Sequence, residues 1–80
     1  MKTKMIFSTE TNDKVYWINL PFIPKMHERF NVKDVLKPGE ITEIKQSARS
    51  WSTYEGTIES VEYRFNGNDF CPEVFIWCED

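Results

Sequence analysis

The last third of the chain leaves few choices of fold. Gly56-Thr-Ile-Glu-Ser-Val-Glu-Tyr-Arg-Phe65 and Phe70-Cys-Pro-Glu-Val-Phe-Ile-Trp-Cys78 flank Asn66-Gly-Asn-Asp69. Two apolar-alternating runs joined by a turn with Asn-Gly read as a β-hairpin. Val61, Tyr63 and Phe65 fall on one face. They form a continuous apolar surface with Val74, Pro72 and Phe70 if the loop spans Asn66 to Asp69. A two-residue Asn66-Gly67 turn shifts the pairing by two and keeps the same faces. Ile58 is one residue out of phase with Val61. A bulge at Glu59-Ser60 returns Ile58 to the core opposite Ile76 and bends the strand sharply, which is how small barrels turn corners.

The upstream pattern supplies the rest of a sheet. Residues 2–8 alternate as a strand, Thr9 to Asp13 is a polar turn, and residues 14–20 are β-branched and aromatic as strands prefer. These two strands pair as a hairpin. Pro21 and Pro24 hold Phe22-Ile23 outside any central strand, because proline lacks the ladder donor. Glu28 to Val32 is a short strand, Asn31 caps a turn at 32–36 with Asp34 in the capping-box position, and Pro38-Gly39 stops it. Ile41, Ile44, Ala48 and Trp51 recur at helical steps, so residues 40–51 are the one helix. Glu40 and Glu43 sit at its N-terminal end, with Lys45 and Arg49 toward the other, as the helix dipole prefers. The expected fold is a single α+β domain, 1–80: a small, strongly bent antiparallel sheet or partly open barrel of about five strands with one helix.

Composition limits the function classes. The apolar fraction is 40% and the aromatic fraction 15%, enough for a core in 80 residues. The net charge is −3 and the ten basic residues are scattered. That argues against a nucleic-acid partner, whose affinity rests on clustered cations at phosphates. Met5-Ile6-Phe7 is too short for a signal h-region or a membrane span, so no membrane partner and a cytoplasmic location are expected. Cys71 and Cys78 are seven residues apart on one strand, on opposite faces and ~23 Å apart at the usual rise. They cannot form a disulfide with each other and read as reduced thiols.

Few residues offer chemistry. His27 is the only histidine. The two cysteines cannot converge with it on a zinc ion, so it reads as structural or solvent-exposed and no metal or cofactor is expected. Glu62 and Glu73 face each other across the hairpin on the side away from the core. A close carboxylate pair is raw material for acid–base catalysis, but with Arg64 and Glu59 beside them the plainer reading is a surface charge mix. Cys71 shares that face without an activating base. No phosphate loop, nucleophile elbow or dinucleotide fingerprint appears. The chain is expected to be a non-enzyme.

The aromatics carry more weight. Phe75 and Trp77 lie opposite Val74 and Ile76, alongside Glu73 and Glu79. If Val61, Val74 and Ile76 fill the core, Phe75 and Trp77 need other cover. Either Ile44, Ala48 and Trp51 of the helix pack across them, or they form an interface for a protein partner, with Trp17 and Phe22 extending it. The run Gly56-x-Ile58, a bulge and Val61-Glu-Tyr63 resembles the central hairpin of SH3-like small barrels of the KOW and Tudor types. Pro24-Lys-Met-His-Glu28 resembles the segment that opens such barrels. The resemblance covers about a third of the chain and implies a binding module for peptides, modified side chains, RNA or partner subunits. An aromatic cage for a cationic side chain is a further implication. The expected function is a non-catalytic protein-interaction module that self-associates as a homo-oligomer, with a single-stranded nucleic-acid or RNA-binding barrel as the alternative and an enzyme using Glu62, Glu73 or Cys71 as the third.

Overall fold

The first and last strands of the chain lie side by side at the centre of one sheet. The computed structural model describes residues 1–48, 50–67 and 69–78. Its elements are β1 (Lys2–Ser8), β2 (Asp13–Asn19), β3 (Arg29–Asn31), a 3₁₀ turn (Val32–Asp34), α1 (Pro38–Ser47), β4 (Glu55–Asn66) and β5 (Asp69–Trp77). The five strands run in the order β2-β1-β5-β4-β3, and the sheet curls into a half-barrel around α1. Both expected hairpins form, β1 with β2 and β4 with β5. They join through β1 and β5, which are parallel, Lys4 opposite Glu73 and Ser8 opposite Trp77. The sheet is therefore mixed and not the antiparallel sheet expected. Alternation within a strand reports its faces but carries nothing about the direction of a neighbour distant in sequence.

The β4–β5 register follows the bulge. Ile58 pairs with Ile76, the register shifts, and Ser60 pairs with Phe75. Val61 then meets Val74, Tyr63 meets Pro72, Phe65 meets Phe70, and Asn66 closes the ladder with Asp69. Gly67 adopts φ 66°, the left-handed conformation that glycine enters freely. The third loop residue, Asn68, lies outside the described residues.

The helix departs from expectation at both ends. Pro38 and Gly39 begin α1 instead of stopping the preceding turn. Proline at the first helical position loses only an N–H that would have no partner. The Glu40 carboxylate accepts from the Lys37 backbone N–H at 2.9 Å and closes that end. The helix stops at Ser47, with Ala48 outside helical geometry, so Trp51 falls in the loop that follows. Arg49, expected at the C-terminal end, lies outside the described residues. Trp51 is nevertheless completely buried. Its indole N–H donates to the Glu55 carbonyl at 2.8 Å, and the Lys45 ammonium donates to the Trp51 carbonyl.

The core fills the inner face of the half-barrel. Met5, Phe7, Ile58, Val74, Ile76 and Cys78 pack against Ile44, Ala48 and Trp51, with Val32 and Leu36 beside them. Gly56 lets β4 approach this layer: a Cβ there would stand 2.6 Å from Ile76 Cγ2 and 3.2 Å from Val32 Cγ2. Residues 20–28 cross from the β2 edge to the β3 edge, since these strands end the sheet on opposite sides. The crossing turns at His27, where φ is 73°, and is pinned by backbone bonds from His27 N–H to the Ile58 carbonyl (2.7 Å) and from Ile58 N–H to the Glu28 carbonyl (2.8 Å). No helix among the described residues is long and apolar enough to cross a membrane.

Two measurements test this packing. Gly56→Ala is expected to lose about 1–3 kcal/mol in denaturant unfolding, because the branched side chains of Ile76 and Val32 hold the space and overpacking costs that much. Burial pushes the Tyr16 phenol above its ordinary value of 10.0, and the carboxylates of Glu43 and Glu40 add to the shift. A folded-state pKa raised above the unfolded one adds stability that is present below the unfolded value and lost as pH rises through the folded value. Stability should thus fall as pH rises above about 10, and Tyr16→Phe should flatten that part of the pH profile.

Candidate functional site

The outer face of the sheet is apolar at its centre, and the helix residues of the core cluster with the inner face. Alternation sends Ile6, Val15, Phe75 and Trp77 outward while Met5, Phe7, Val74 and Ile76 go inward. The register aligns them across the strands: Val15 beside Ile6, Ile6 beside Phe75, and Phe75 beside Ser60. The next row runs Trp17, Lys4, Glu73, Glu62. On the other side of the apolar row, Ser8 stands between Asp13 and Trp77. Ile6 is buried without joining the inner core. Val15 remains 47% and Trp17 55% exposed, and Phe75 and Trp77 are half-buried.

Of the two covers the sequence offered for Phe75 and Trp77, the helix is set aside: Ile44, Ala48 and Trp51 cluster with Val74 and Ile76, on the opposite side of the same strand. The physical reason is volume: Phe7, Met5, Ile58 and Ile76 already converge on the inner face, and the helix stripe completes that layer. Of the four expected interface residues, Trp17, Phe75 and Trp77 share the outer face in separate rows. Phe22 does not join them. It is 66% exposed at the mouth of the inner face, where a cleft of about 220 Å³ is lined by Met5, Leu20, Phe22, Pro24, Phe30 and Val35.

Charge frames the outer face. Glu62 and Glu73 are directly paired across the hairpin. The Arg64 guanidinium lies between them, 3.0 Å from Glu62 Oε2 and 3.5 Å from Glu73 Oε2. A cation shared by both carboxylates makes this a surface ion cluster in place of a like-charge dyad. The Lys2 ammonium sits 5.1 Å from the centroid of the Trp17 ring, within cation–π range. Lys4 has no ion-pair partner among the described residues. Cys71 is half-buried on this face and Cys78 is buried on the inner one, and neither is in a disulfide. His27 is exposed, and no metal-binding cluster of His, Cys, Asp and Glu occurs among the described residues.

A second aromatic group was read from sequence only as core. Tyr63 stacks on Phe70 with ring centroids 5.5 Å apart, and Phe65 lies 5.4 Å from Phe70. All three are exposed, Phe65 at 76%. The hairpin pattern places them on the inner face correctly. The face itself runs out, because β1 pairs with β5 only from Glu73 onward and β3 with β4 only over Glu55 to Thr57. A signal for this lay in strand length: β4 has 12 residues and its neighbour β3 has 3, so most of β4 projects beyond its neighbour.

No family model, curated protein or solved structure matches the chain.

The two aromatic classes predict opposite responses to truncation. Trp51→Ala is expected to cost about 3–5 kcal/mol, the usual loss for a fully buried large side chain. Phe65→Ser is expected to change stability by less than about 0.5 kcal/mol, as for an ordinary surface site. Chemical denaturation of the two variants beside the parent checks both.

Proposed function

We propose that the chain is a non-catalytic protein-interaction module that docks, and self-associates, through the outer face of its sheet. The observation that carries this reading is the apolar row Val15–Ile6–Phe75 flanked by Trp17 and Trp77, a sheet face with the helix on its other side. One-sided sheets in water alternate apolar-in and polar-out. Here the outward positions are apolar at the centre of the sheet and charged beside it, the layout of an interface core with a polar rim. Tryptophan is the commonest anchor at such sites because it buries a large area with few rotamers to lose. The resemblance of the central hairpin to SH3-like barrels, most of which bind partners, supports the same class of function. The nucleic-acid alternative gains less support, because Glu62 and Glu73 occupy the β4–β5 half of the outer face.

Solution mass by light scattering over a concentration series tests the proposal, with Trp17→Ala and Trp77→Ala beside the parent. The expected result is a parent that associates with rising concentration and variants that associate at least tenfold more weakly. Trp17→Ala should keep its melting temperature close to the parent's, since the ring is 55% exposed. A parent that stays monomeric, with variants that lose their fold, would make these rings part of the monomer's own packing and remove the proposed surface.

A further inference from the structure

The outer face is self-complementary in charge, and this selects its occupant. Cations stand on β1, with Lys2 and Lys4 projecting outward. One net negative charge stands at the same level on β5 and β4, where Glu73 pairs with Lys4 in the parallel register, Glu62 pairs with Glu73, and Arg64 bridges the two carboxylates. Apolar groups occupy both halves of the adjacent row, Ile6 and Val15 on one side and Phe75 on the other.

We propose that the docked partner is a second copy of this chain, related by a two-fold axis that runs parallel to the strands between β1 and β5. Such an axis turns each row back on itself. It sets Lys4 of one copy over Glu73 of the other, Ile6 over Phe75, and Trp17 over the β4 edge that carries Glu62 and Arg64. Each contact occurs twice, as an isologous interface requires. The strands of the two sheets then pack nearly aligned, about 30° apart, which is the common geometry for stacked sheets. The other two-fold in the interface plane, perpendicular to the strands, stacks β1 on β1. Centred on the apolar row, it sets Lys4 over Ser8 and Glu73 over Trp77, and it leaves those charges desolvated without partners.

The size of the face sets the strength. Four strands wide and four paired rows tall, it covers roughly 500 Å² at standard strand spacing and rise. Stable interfaces bury about 800 Å² per partner. The dimer is therefore weak and forms as concentration rises. The Lys4–Glu73 contacts supply orientation more than affinity, because opposed charges chiefly reject wrong registers.

This inference rests on the outer face being the docking surface, and the experiment separates the two. Lys4→Glu and Glu73→Lys are prepared as separate proteins. Alone, each sets like charges against each other twice across the interface, and its association is expected to weaken about tenfold or more. Mixed, the two form a heterodimer in which both cross-interface contacts are again opposite in charge, and the heterodimer should recover at least the parent's affinity. Within each chain the like-charged neighbours remain, so recovery on mixing reports the contact between chains alone. Both variants keep a net negative charge, the parent being −3, so long-range attraction does not mimic the result. Should either reversal fail to fold by circular dichroism, Lys4→Gln and Glu73→Gln replace them, and the double variant should then associate no more weakly than either single one.

A mixture that associates no better than its components, beside a parent dimer that Trp17→Ala breaks, would overturn this arrangement and leave the docking surface standing. A parent that never dimerises, or whose dimer ignores Trp17→Ala, would overturn both.

Discussion

The parallel pairing of β1 with β5 is the constraint on which the rest of this structure depends. It joins two hairpins that are each complete by local rules, and an isolated hairpin has marginal stability in water. Only when β1 lies beside β5 do Met5 and Phe7 meet Val74 and Ile76 on one inner face. That combined face is broad enough for α1 and Trp51 to cover. Closing a loop almost as long as the chain carries an entropic cost that grows slowly with length. The dense layer of fully buried side chains at the junction offsets it.

The same pairing creates the outer face. Each strand that contributes an inner residue to the core must present its next residue outward. Because β1 and β5 are central, their outward residues Ile6, Phe75 and Trp77 land in the middle of the sheet and not at an edge. A single helix covers one side of a five-stranded sheet. Among the described residues no second helix covers the other. The proposed interaction surface is thus a direct consequence of building a mixed sheet with one helix, and the bulge at Ile58/Ser60 that curls the sheet also aligns Ser60 beside Phe75.

The loop from β2 to β3 shows a different economy. It has no regular structure, yet it is held by reciprocal backbone bonds between the Glu28 and His27 region and Ile58. His27 takes a left-handed conformation that costs a non-glycine residue roughly 1–2 kcal/mol. Tyr54 does the same at φ 58°, just before β4, with Lys33 4.1 Å over its ring. Both corners flank the strand pair β3–β4, where the chain enters and leaves the half-barrel.

Much of this architecture was legible in the order of residues. The Asn-Gly hairpin with its bulge, the pairing of Ile58 with Ile76, the first hairpin and the helical stripe all depend on neighbours close in sequence, where side-chain period and turn chemistry act directly. The helix ends were less legible, because Pro38-Gly39 serves equally well as a stop or as a first turn, and the choice rests on Glu40 reaching Lys37. What the sequence by itself determined is therefore the set of elements and the two faces of each strand. Tertiary structure alone decided that β1 and β5 run parallel, that Trp51 turns inward from beyond the helix, and that Trp17, Phe75 and Trp77 share a face that excludes Phe22. These are matters of which apolar surfaces meet across long stretches of chain, and burial is non-directional, so no local pattern encodes them.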